Sequence, residues 1–154
     1  MMKSQGPARP ALVLAVGLLA LAVGGCGGPA TGDVSGRVSY KGKPLAFGSV
    51  VFFVEQRPPV VAVIGLDGRY AARGVLAGPV RVTVHSVNPV AEVADVRARL
   101  AAKGEDPNTV EGPAFSPADL KKWFPIPDRY SDPDKADLGY TVSAGPNEID
   151  IELK

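Results

Sequence analysis

The chain is poor in the side chains on which most active sites depend. In 154 residues it has one cysteine, Cys26, one histidine, His85, one tryptophan, Trp123, and two methionines. A lone cysteine rules out an internal disulfide. With no second histidine and no further cysteine, the clustered ligands of a zinc site are missing as well. Excess charge is also lacking. The formal net charge is +1, and beyond residue 25 fifteen basic side chains face sixteen acidic ones. There is no basic patch of the kind that nucleic acid requires, which argues against a nucleic-acid partner. Long apolar runs are limited to Ala11 to Val23. As a helix that run reaches roughly 20 Å at ~1.5 Å per residue, short of the ~30 Å hydrocarbon core of a bilayer.

What the chain has in quantity is glycine and proline, eighteen and fifteen, with 45% hydrophobic residues. That is enough for one globular domain, and the turn-forming content suits many short strands better than long helices. The N-terminus has its own layout: a basic start with Lys3 and Arg9, the apolar run, then Gly24 and Gly25 before Cys26. This is the pattern of a secretory signal over residues 1–25. The stretch Val23-Gly24-Gly25-Cys26 resembles the lipobox of bacterial lipoproteins. In that family the sulfur is alkylated by diacylglycerol, the chain is cut before the cysteine, and the new α-amine is acylated. The resemblance implies an exported protein held by Cys26 to a bacterial membrane, on the periplasmic or cell-surface side. Residues 26–32 then form a glycine-rich tether.

From Asp33 the periodicity is that of strands. Val34, Val38 and Tyr40 fall on one face while Ser35, Arg37 and Ser39 fall on the other. Lys41 to Pro44 supplies a turn before the strand SVVFFVE, and Val60 to Ile64 forms a third strand. Asp67-Gly68 then predicts a hairpin with Tyr70 starting the return strand. In VRVTVHS, Val80, Val82 and Val84 point inward, with Arg81, Thr83 and His85 outward and His85 exposed. Near the C-terminus Leu138, Tyr140 and Val142 alternate, Gly145-Pro146-Asn147 turns, and Ile149, Ile151 and Leu153 alternate again. About seven strands result. They predict an all-β, Greek-key sandwich over residues 33–154, made of two packed antiparallel sheets with Val38, Phe52, Val82, Val84, Tyr140 and Ile151 buried.

Residues 88–125 read as an insertion. Asn88-Pro89 is a helix start, with the helix running over Val90 to Lys103 outside the sheets. Ser116-Pro117-Ala118-Asp119 approximates a capping box. Trp123 and Phe124 follow it, readable either as a plug for an open end of the sandwich or, with Tyr130, as an exposed aromatic platform for a glycan or peptide. The acidic group Asp132, Asp134 and Asp137 has oxygen ligands of the kind calcium takes, but its Asp-Pro-Asp core suits a turn better.

Taken together, VSGRVSYKGKPLAFGSVVFF, LDGRY, GPVRVTV and IPDRYSDPDKADLGYTVSAGPNEIDIEL resemble the carboxypeptidase regulatory-like domain of small lipoproteins abundant in planctomycete bacteria. The resemblance covers roughly Val34 to Asn88 and Ile126 to Leu153. It implies a transthyretin-like sandwich and no catalytic domain. Some transthyretin-like proteins hydrolyse a purine-derived substrate with several histidines and arginines and a tyrosine-rich tail, whereas this chain ends IDIELK. The expectation is a non-enzymatic module with no metal and no cofactor. It is anchored to a membrane and serves a structural or protein-interaction role, with an envelope protein or a glycan as its partner.

Overall fold

A computed structural model describes residues 28–154. Residues 1–25, expected to be a secretory signal, and Cys26 lie outside the described residues. The body is an all-β sandwich with a small helical insertion.

One sheet is built around β1 (Thr31–Tyr40). Lys41 and Gly42 both take positive φ, 50° and 78°, which turns the chain in two residues into the short β2 (Lys43–Pro44). Along the same edge of β1 runs β5 (Arg69–Leu76), antiparallel, with Thr31 opposite Leu76 and Arg37 opposite Arg69. Along the other edge β8 (Gly145–Glu148) and β9 (Ile151–Leu153) run parallel to it. Between those two strands the chain steps over Gly36. A β-carbon at that position would collide with the carbonyl of Ile149, so only glycine admits the approach.

The second sheet has the order β4-β3-β6-β7, formed by Val60–Val63, Ser49–Phe53, Gly78–His85 and Gly139–Val142, all antiparallel. Val50 and Phe52 sit opposite Val84 and Val82. These side chains meet Val34, Val38, Ile151 and Leu153 of the first sheet in a core from which water is excluded. Each such burial is worth about 1.5–3 kcal/mol against exposure.

Five expectations need correction. The sheets are not both antiparallel, because β8 and β9 pair parallel to β1. Asp67-Gly68 does not close a hairpin: β4 and β5 belong to different sheets, and the turn, closed by Gly65 N–H to Arg69 O at 2.8 Å, is an arch between them. Gly145-Pro146-Asn147 is not a turn but most of β8, held by Asn147, whose side chain bonds the backbone of Ser143 and Gly145. Tyr140 is half-buried rather than buried, because β7 is the edge strand of its sheet. Among the described residues nine strands are present where about seven were expected, since the short β2 and β8 are added.

The insertion leaves β6 at His85 and returns at β7. Its helix α1 (Pro89–Ala102) starts as expected, with Asn88 Oδ1 accepting from the amides of Val90 and Ala91. Only Pro89 of this helix is buried, so α1 stands outside the sheets. Arg97 holds it to the carbonyl of Val110 through Nη2 at 2.8 Å. The short α2 (Pro117–Leu120) has the capping box: Ser116 Oγ accepts from the Asp119 amide at 3.1 Å and donates to its carboxylate at 2.7 Å.

Candidate functional site

The strand directions give the sandwich two distinct poles. At one, the chain enters: Ala30 O accepts from Ala77 N–H at 2.8 Å, beside the ends of β3, β5 and β7 and the start of β6. At the other lie the β1–β2 turn, both ends of the insertion, and Leu153 beside Tyr40. Ten residues of β1 separate the poles, about 33 Å at ~3.3 Å per residue.

The far pole collects most of the side chains singled out in the sequence, though not as one surface. Trp123 and Phe124 are half-buried. The Phe124 ring packs on the core and stacks on Tyr40 at 6.4 Å, with Lys43 Nζ 4.5 Å from its centroid and Lys41 Nζ 5.3 Å from that of Tyr40. The backbone carbonyl of Phe124 also accepts from Ser86 Oγ at 2.8 Å. The Trp123 Nε1 is buried without an acceptor. The pair thus closes the end of the sandwich more than it projects from it.

Tyr130 cannot join an exposed platform. Its ring is 4% exposed and belongs to the core. Its hydroxyl donates to Lys154 O at 2.5 Å and accepts from Lys154 N–H at 2.9 Å, while the Arg129 guanidinium lies 4.7 Å over the ring and also donates to Lys154 O. The contribution of Tyr40 and Lys43 was not read from the sequence. The available signal was a Lys-Gly-Lys turn ending an amphipathic strand with a tyrosine.

Thr83 and His85 also depart from the outward, exposed positions expected of them. Thr83 is fully buried and its Oγ1 lies 3.3 Å from His85 Nε2, and burial lowers the pKa of the imidazole. The insertion is tied to this end of the sheet by the Ser86–Phe124 bond and by Phe115, whose ring meets Phe47 edge-on at 4.8 Å.

Among the described residues no group of three histidine, cysteine or acidic side chains is placed to hold a metal ion. Asp132 is engaged in a turn. It accepts from the Asp134 amide at 3.0 Å and pairs with Lys135 at 2.8 Å, and the lysine contact followed by the amide holds its carboxyl below the usual range. Asp134 reaches Arg81 at 2.8 Å, and Asp137 takes a φ of 50° at the end of the turn. On the opposite sheet burial pushes the Tyr70 phenol well up, and its hydroxyl donates to Ile149 O at 2.7 Å. These groups build the fold.

No family model matches the chain, and no curated protein does. Among solved structures it is similar to the crystal structure of a DUF3823 family protein from Parabacteroides merdae, at 15% identity and a TM-score of 0.43. The match covers 82% of this chain and 47% of the other, so the chain spans about half the length of that protein. Among the described residues no helix is long and apolar enough to cross a membrane.

Proposed function

We propose that the protein is a non-enzymatic, lipid-anchored sandwich of the bacterial cell envelope, exported on residues 1–25 and held by diacylglycerol on Cys26. In this reading it presents the insertion as an interaction module to another envelope component. The observation that carries the proposal is the polarity of the body: the tether enters at one pole and the insertion leaves and returns at the other. A domain fixed at Cys26 would hold α1, with Val90 51% and Val96 37% exposed, on the side away from the membrane. A protein partner suits that helix better than a glycan suits the pole, because the Phe124 and Tyr40 rings pack on the core and Tyr130 is spent on the C-terminal strand.

The anchor is tested by feeding cells a fatty-acid analogue and determining the mature N-terminus by mass spectrometry, for the wild type and Cys26→Ser. Lipid on Cys26 in the wild type and none in the variant is expected. A mature protein that begins elsewhere and keeps a free Cys26 thiol would sink the reading.

A further inference from the structure

The pole that receives the tether also has a groove of about 1250 Å3, set between the β3–β4 loop, the β5–β6 turn and the paired ends of β6 and β7. Its walls are Phe53, Val54, Leu76, Pro79 and Tyr140, with Glu55, Gln56, Arg81 and Thr141 adding polar groups to the lining. Arg81 is exposed and already paired with Asp134. The volume exceeds the roughly 300–1,000 Å3 of a pocket for a compact small molecule.

The chain path says what lies within reach. Thr31 pairs with Leu76, and Ala30 accepts from Ala77, so the tether arrives on the rim, where Leu76 and Ala77 themselves line the groove. Cys26 is four residues before Ala30. Even fully extended, four residues span no more than ~14 Å. A hydrocarbon chain attached to Cys26 can therefore start no more than ~14 Å from Ala30, within reach of a groove whose lining is largely apolar.

We propose that this groove takes one acyl chain of the lipid on Cys26. The inference rests on the anchor reading. A cysteine carrying three acyl chains keeps two in the bilayer when one is withdrawn, and two suffice for stable attachment. Seating the third fixes the sandwich against its own anchor, so that the body holds one orientation to the membrane. The competing source of the same chemistry is a chain of a neighbouring phospholipid, which would seat in the groove without tying it to Cys26.

The experiment uses the full chain in its own membrane, with cells grown on a fatty acid bearing a photoactivatable diazirine. After irradiation, mass spectrometry looks for the lipid-bearing peptide that starts at Cys26 joined to a peptide containing Phe53, Leu76 to Arg81, or Tyr140. That adduct is expected. It should be lost in Gly139→Phe, which fills the groove from a position where a β-carbon meets nothing within 4 Å, while lipid on Cys26 and the melting temperature stay unchanged. Lipid on Cys26 with no adduct to the groove, or groove peptides joined only to phospholipid, overturns the proposal and leaves the anchor standing. An unmodified Cys26 overturns both. Persistence of the adduct in a folded Gly139→Phe chain places the acyl chain elsewhere and also overturns it.

Discussion

Replacing Tyr130 separates a core clamp from a surface contact. The ring is 4% exposed among the core residues, and the hydroxyl closes on both backbone groups of Lys154. Tyr130→Ala removes a buried aromatic ring and leaves a cavity, a loss of about 3–5 kcal/mol. Tyr130→Phe keeps the ring and removes three hydrogen bonds, one accepted from Arg129 and two shared with the backbone of Lys154, an exposed residue that water can reach. Arg129 still donates to Lys154 O, so the loss falls to about 0.5–1.5 kcal/mol. With a urea m-value of roughly 1–3 kcal/mol/M, the alanine variant moves the unfolding midpoint by about 2 M and the phenylalanine variant by well under 1 M. Urea titration followed by far-UV circular dichroism reads both. A Tyr130→Ala unfolding free energy within about 0.5 kcal/mol of the wild type, the range of an ordinary surface substitution, would refute the buried clamp and return Tyr130 to the surface.

Gly36→Ala pushes a methyl group into the carbonyl of Ile149 and should cost about 1–3 kcal/mol or more, whereas Gly139→Ala, with open space around it, should stay within about 0.5 kcal/mol; equal midpoints for the two variants would contradict the β1–β8–β9 packing. Burial holds the His85 pKa below its usual 6.5, so the folded chain resists protonation that the unfolded chain accepts. Stability from this group is complete above about pH 6.5 and lost as the pH falls through the depressed folded value. His85→Gln should flatten that part of the profile in urea midpoints taken at stepped pH, and a wild-type midpoint that rises on acidification over this range would count against the burial of His85.

Much of the fold was legible because local chemistry and tertiary structure agree. The valines of β6 face the core as their alternation requires, Asn88 caps α1, and the Ser116–Asp119 box forms as its spacing predicts. The misreadings share a cause, since each depends on which distant strand lies alongside. Asp67-Gly68 has the residues of a tight turn, and the turn forms, but the same chemistry serves an arch between sheets as well as a hairpin within one. Gly145-Pro146-Asn147 looks like a turn until β1 supplies a parallel partner. Thr83 alternates outward from the core yet is fully buried, beside His85. The far pole was only half legible for the same reason: Trp123 and Phe124 were visible as a pair, but Tyr40 as the partner of Phe124, and Lys154 as that of Tyr130, are set by topology.

The strand that leaves the tether is also the one to which every other strand of its sheet is bonded. β5 and β2 hold one edge of β1, and β8 and β9 hold the other. Tension between a fixed Cys26 and a load hung on the insertion would pull β1 along its own length. The ladder bonds on both edges would then be sheared together, not opened singly from one end like a zipper. Such an arrangement resists pulling from the tether far better than prying at an edge strand such as β4, which is bonded on one side only. Under mechanical load the sheet built on β1 would yield last, and the chain would first give way at the insertion.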